Sequence, residues 1–591
     1  MRRYRRITPW LWGLFTASLL FAVLYAFSSY QYIGSDDAPI LRSFMGYEGG
    51  EPATFHLYLH TAFAWLLWAL AKLFPGVAWF SILQLFLLWF SQVVIVKSLA
   101  QLAQRRGRPA WAGALAGAAF LAAFTVYVTC RITYTTTSAL CGAAAVAQLM
   151  SVDFTAKKPR SVVGPMVGSA LLLLCAYCLR QISVLPPLCF WLLALGVKLF
   201  TAYGRKKRAW RLARPVFTGM LVTALLFGGF AAVRAVDIRL NHAEDFLAWQ
   251  DARIQLFDYT DYDTTTTDET LNAVGWSRDE FSMVTYWYFL DDNITTEALR
   301  TLYAQQTADD AAVTAADRLQ DMWDTLTGSL NASPAVRYGL WAALAVAAAA
   351  LLMLLLTPGR PVWALLGVPA AAVGGGLLLV YLGYTGRLPM RAAMSVLLPM
   401  AAYLYGAFTA ALPPAGSGAE PKKTPRPMRI ARFGLVSLSL AVCLWMTVSA
   451  VLAEAPSLRP LTDEEENYGT MNLNDLDAYA LDNPDMLFIY DLSLVSDHRL
   501  FPDTSAGIPD NVLFWGGYPA RSPSWYRTLA RFGITELDAS IFLRDDVVLA
   551  STDAEPYQCF TRYLADSTGE AVDWYFYDIY GYLYFMQFFT V

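Results

Sequence analysis

The stretch Thr54–Leu73, TFHLYLHTAFAWLLWALAKL, decides how this chain is threaded. It is apolar and almost long enough to cross a bilayer, which takes about 20 residues. If it crossed, every later basic cluster would change sides. The whole chain has 591 residues, 56% hydrophobic and 16% charged. A soluble domain carries about 25% charged residues, so this composition excludes a purely soluble protein. Apolar runs lie near residues 9–28, 77–98, 109–129, 136–152, 162–179, 183–203, 215–234, 337–356, 362–383, 391–411 and 433–453. These are read as eleven membrane helices. No small-residue cleavage site follows the first run, so it is read as a retained helix.

Basic residues test the threading, because short cytoplasmic loops collect Lys and Arg. The clusters are Arg2, Arg3, Arg5 and Arg6; Arg105, Arg106 and Arg108; Lys157, Lys158 and Arg160; Arg205, Lys206, Lys207 and Arg208; and Lys422 and Lys423 through Arg429 and Arg432. With eleven crossings, and with 54–73 as an interfacial helix on the outer face, all of them fall on the cytoplasmic side. That placement also suits His56, His60 and Lys72. The other lysines all fall at or near expected cytoplasmic positions.

The expected fold is therefore an α-helical polytopic membrane protein, with about eleven spans, the interfacial helix and a small C-terminal domain. Residues 1–453 would form the membrane domain. It includes the outer loop 29–76, a large outer loop 235–335 and a Pro/Gly-rich cytoplasmic linker 412–432. The 235–335 loop holds nineteen Asp/Glu against five Arg and no Lys, and reads as mainly helical with a Thr-rich turn at 264–267. Residues 454–591 would form an extracytoplasmic α/β or α+β domain. Its strand-like runs are Met486–Leu492, Val512–Tyr518, Ile541–Leu549 and Trp574–Phe588, with a helix near 523–532. Trp515–Tyr518 and Trp574–Tyr577 could stack on sugars, but such runs are more often core. The seven cysteines mostly sit in apolar runs and form no disulfide framework. No nucleic-acid partner is expected.

Asp36-Asp37 stands out on the first outer loop. Ionisable groups at a membrane boundary are functional candidates by default. Three roles are open to the pair: general base for an acceptor hydroxyl, oxygen ligands for a divalent cation, or a helix start, since Asp37-Ala38-Pro39 resembles one. His56 and His60, four apart, would share a helix face and could join an acid on a metal. Short outer loops hold selected arginines: Arg131, Arg180, Arg387 and Arg391, with Arg253 in the large loop. A guanidinium donates two parallel bonds to a phosphate. The plain alternative is that these arginines snorkel to head groups or pair with nearby acids.

A cytoplasmic N-terminus, one span, an outer loop with adjacent acids and an apolar interfacial helix together resemble the GT-C superfamily. Its members transfer sugars from polyprenyl-phosphate carriers. The chain looks most like the bacterial branch, distantly similar to protein O-mannosyltransferases. The support lies chiefly in residues 30–80. The His-Pro-Pro stretch of that family is absent, and His56-Leu57-Tyr58-Leu59-His60 stands about where it would be. The resemblance implies a membrane glycosyltransferase of the bacterial cytoplasmic membrane, with its C-terminal domain outside. Asp36 or Asp37 would act as catalytic base, and Arg131, Arg180, Arg387 and Arg391 would hold the donor's phosphate. The acceptor would be a cell-wall polymer, lipid or protein, with a divalent cation optional. Two other readings stand beside it: a flippase or transporter of lipid-linked glycans, and a membrane-anchored scaffold. Few charges fall mid-span, where transporters place substrate sites.

Overall fold

The computed structural model describes residues 4–33, 36–156, 158–203, 209–260, 266–310, 314–356, 361–412, 426–459, 463–494 and 498–591. Arg2, Arg3, Lys157, the cluster 205–208, Lys422, Lys423, Thr264, Thr265 and most of the 412–432 linker lie outside them. The chain is an α-helical polytopic membrane protein with a small C-terminal sheet segment.

Among the described residues, nine helices are long and apolar enough to cross a membrane: Ile7–Phe27, Trp79–Arg105, Arg160–Leu179, Ile182–Tyr203, Ala213–Leu240, Pro334–Leu355, Val362–Tyr384, Met390–Ala411 and Phe433–Leu458. The two other expected spans fold as Ala110–Phe124, 15 residues, and Tyr134–Ser151, 18 residues opening on three threonines. Within the deciding stretch only Thr61–Leu73 is helical. At 1.5 Å per residue its 13 residues reach about 20 Å, short of the roughly 30 Å hydrocarbon core.

Contacts divide the chain into two units. The first comprises 1–30, 83–232 and 319–460. There Tyr134–Ser151, buried almost throughout, packs against Met390–Ala411 and Arg160–Leu179. Small residues bring backbones together. A side chain at Gly113 would collide with the Leu99 carbonyl, and one at Gly117 would come within 2.9 Å of the Val96 Cα.

The second unit comprises 31–82, 233–318 and 461–591. It holds two short helices of the first loop, α1 (Asp37–Met45) and α2 (Thr61–Leu73). It also holds a five-stranded sheet of β1 (Leu487–Tyr490), β2 (Val512–Phe514), β3 (Val547–Ser551), β4 (Val572–Tyr580) and β5 (Leu583–Thr590). The sheet order is β2-β1-β3-β5-β4. β2, β1 and β3 are parallel, with Ile489 opposite both Leu513 and Leu549; β5 runs antiparallel to β3 and β4. The all-apolar run Leu487–Tyr490 fits a strand buried on both faces. Helices begin where their caps dictate. Ser522 accepts from the Trp525 N–H at 3.2 Å with Pro523 next, and Ser277 and Glu280 form a capping box. The segment 235–335 is mainly helical as expected, and its Trp249, Leu256, Tyr288 and Phe289 share one core with Trp515, Trp525, Leu549 and Phe560.

Candidate functional site

Asp36 and Asp37 start α1. Asp36 is the N-cap residue, half-buried, and its carbonyl accepts from the Ile40 N–H at 3.1 Å, while its side chain makes no cap hydrogen bond. Asp37, in the first turn, is wholly buried. The helix dipole favours negative charge at that end. Gly46, at φ 99°, ends the helix in the left-handed region. Asp37 and Phe44 are seven residues apart and share a face, about 10 Å apart along the axis.

Below that start, α1 is locked in place by Arg42. Its guanidinium bonds both carboxylate oxygens of Asp477, at 2.9 and 2.6 Å, and lies 3.8 Å from the Tyr47 ring centre. Burial pulls the Arg42 pKa down, but the charge and hydrogen bonds of Asp477 outweigh it and raise the value overall.

His56 and His60 do not share a helix face, contrary to expectation. His56 precedes α2 in non-helical backbone, and His60 is the N-cap of α2, its Nδ1 accepting from the Ala62 N–H at 3.1 Å. The apolar period misled because the two histidines before Thr61 bond backbone N–H groups and hold that apolar segment out of a helix. The His56 Nδ1 accepts from the N–H groups of Tyr58 and Leu59, at 3.1 and 3.3 Å. That fixes the proton on Nε2, which is buried with no hydrogen-bond partner among the described residues. Burial and then Arg234 push the His56 pKa down to about 3. Arg234 donates to the His56 carbonyl at 2.9 Å and lies over the Phe55 ring, 3.8 Å from Asp237. Asp237 in turn accepts from the Thr61 hydroxyl at 2.6 Å.

His56 lines a small cavity with Ser43, Glu48, Phe246, Tyr518 and Ser524. Its volume of about 10 Å³ is the room one water or one hydroxyl occupies. Glu48 accepts from the Ser524 hydroxyl at 2.8 Å, and burial, opposed by that bond and by Arg42 and Arg527, pushes its pKa up to about 7. The corner thus offers a neutral imidazole N–H donor and a carboxyl group that exchanges its proton near neutrality.

Arg253 belongs to the same unit and is 2% exposed. Its Nε donates to the Gln250 Oε1 at 2.8 Å, and Gln250 donates to the carbonyls of Tyr518 and Ala520. It braces the 518–520 loop. The other four arginines lie in the first unit. Arg131 donates to the carbonyls of Ser29 (2.8 Å), Cys130 (3.3 Å) and Ser457. Arg180 donates to the Thr135 hydroxyl and lies 5.1 Å from the Tyr134 ring centre. Arg387 and Arg391 flank the turn between two spans, both half-buried, with Gly386 at φ 70°.

Sequence reasoning missed Arg42, Glu48, Arg234 and Asp237. The last two had a signal: opposite charges three apart at the end of an apolar run. Glu48 had none. Trp515 and Tyr518 are buried as core, whereas Tyr575, Phe576 and Tyr577 are exposed. Among the described residues no group of three or more His, Cys, Asp or Glu is arranged to hold a metal ion.

No protein-family profile matches the chain, and no curated protein does. Among the solved structures similar to it are two of the same protein. ArnT from Cupriavidus metallidurans in the apo state is 13% identical, with 98% of this chain and 97% of that chain covered and a TM-score of 0.35. ArnT from the same organism bound to undecaprenyl phosphate is 12% identical, with 98% of each chain covered and a TM-score of 0.37. At these identities and TM-scores the likeness carries no argument about this chain, and no residue role passes from those structures to it.

Proposed function

We propose that this protein is a glycosyltransferase of a bacterial cytoplasmic membrane, taking a sugar from a polyprenyl-phosphate carrier to an acceptor hydroxyl on the outer side. One observation carries the reading. Directly after the first span, two adjacent carboxylates start a short helix, and one of them is wholly buried. A solvated cap needs no such burial.

In this reaction Asp36 or Asp37 takes the proton of the acceptor hydroxyl. The acceptor oxygen forms its bond to the sugar's anomeric carbon as the bond from that carbon to the phosphate oxygen breaks. The polyprenyl phosphate leaves with the electron pair, and the anomeric configuration inverts. Arg180, Arg387 and Arg391 stand at helix ends and suit a phosphate by their chemistry. Arg131 serves that role chiefly through its charge, since both terminal nitrogens already donate to carbonyls.

The test is transfer from radiolabelled polyprenyl-phosphate sugars by purified protein. Replacing Asp36 and Asp37 together by Asn is expected to lower the rate by about 10²–10⁴, the usual worth of a general base, with the thermal midpoint little changed. Full activity in that double variant rules the mechanism out.

A further inference from the structure

The β4–β5 hairpin departs from the rest of the sheet. β5 is buried along most of its length, but β4 is an edge strand with Tyr575, Phe576, Tyr577, Ile579 and Tyr580 all exposed. Large apolar side chains exposed along one strand point to an interaction surface. The pairing sets Tyr575 opposite Gln587 and Asp573 opposite Phe589, so these four side chains share one face. On that face the Tyr575 and Phe589 rings lie 5.9 Å apart, 48% and 40% exposed. The Tyr575 hydroxyl donates to the Gln587 Oε1, and the Gln587 Nε2 donates to the Asp545 carbonyl at 2.8 Å. The Tyr575 ring is therefore held in position through its hydroxyl.

Charge and backbone choose among occupants. Residues 571–591 contain Asp573 and Asp578 and no Lys, Arg or His. That composition repels an anionic lipid surface, and interfacial burial of carboxylates is costly. The ladder is broken by a bulge between Phe576 and Asp578, which opposes addition of a peptide strand or of a second copy's edge. A neutral polysaccharide meets neither obstacle. The C–H faces of its rings suit the aromatic faces, and its hydroxyls suit carboxylate acceptors.

We propose that the Tyr575–Phe589 face of the β4–β5 hairpin binds a neutral polysaccharide, its sugar rings stacked on the two aromatic side chains. Binding there needs no donor lipid and does not depend on the transfer chemistry.

The experiment is affinity electrophoresis of the full-length protein in detergent through gels containing dextran, mannan or β-glucan. Hydrogen exchange of residues 571–591 is followed in parallel. The expected result is retardation by at least one polymer, weakened about tenfold by Tyr575→Ala or Phe589→Ala, with slowed exchange across β4. Retardation by none of the polymers overturns the proposal. So does equal retardation of both variants, or protection of 571–591 by phosphatidylcholine vesicles and not by polysaccharide.

Discussion

Arg42 and Arg131 are buried to the same degree, 6% exposed each, and are used in different ways. Arg42, in the second unit, is clamped by both oxygens of Asp477. Arg131, in the first, bonds main-chain carbonyls of three residues. Burial, partly offset by Cys130, Tyr127 and Glu454, lowers the Arg131 pKa, the opposite of the Arg42 outcome. A carboxylate cancels a guanidinium charge, whereas carbonyl dipoles solvate the charge and leave it in place. The first arrangement builds structure. The second holds the guanidinium on carbonyl dipoles without a carboxylate clamp.

The largest expected effect breaks the clamped member. Arg42→Ala leaves Asp477 buried without its partner and is expected to cost about 3–5 kcal/mol, read as earlier unfolding in detergent. Arg42→Met with Asp477→Leu should regain most of it. If the double variant is as unstable as the single, the pair is not the reason for the loss.

Arg131→Ala is expected to cost about 1–3 kcal/mol, the price of unbonded buried carbonyls. Under the proposed function it also raises KM for the polyprenyl-phosphate donor more than it lowers kcat, and Arg131→Lys restores much of that KM. An unmoved KM would make Arg131 a brace and nothing more.

A third expectation concerns pH. His56 falls to about 3 in the folded protein, from 6.5 in the open chain, so the unfolded state binds more protons between those values. Its contribution to stability is present above pH 6.5 and fades as pH falls. Glu48 is raised to about 7 from 4.5, so its contribution is present below pH 4.5 and fades as pH rises through 7. The two slopes oppose each other between pH 4.5 and 6.5. Glu48→Gln should leave only the acid-side loss, and His56→Gln only the loss toward neutrality. Thermal midpoints across pH 4–8 would separate them, and parallel profiles in both variants would contradict the assignment. The smallest effect belongs to Arg562, paired with Asp279 at the surface. Arg562→Ala should not move the midpoint measurably.

Most of the membrane helices were legible because apolar runs of that length have one reading. The shortness of Thr61–Leu73 was legible only in part, since Phe55, Leu57 and Leu59 extend the apolar period through a segment that is not helical. Asp36 and Asp37 were found by their position and by the helix start that follows. Glu48 and Arg42 were not, because their environment comes from Ser524 and Asp477, hundreds of residues away. Nor could periodicity show that β4 is an edge strand, as strand order is settled by the partners.

The Arg42–Asp477 bond also has a consequence for synthesis. Its partners are 435 residues apart, and at about 5–20 residues per second Asp477 emerges roughly 20–90 s after Arg42. Over that interval the guanidinium has no Asp477 to close on, and α1 lacks its anchor. The loop bearing the two carboxylates is thus made early and secured late.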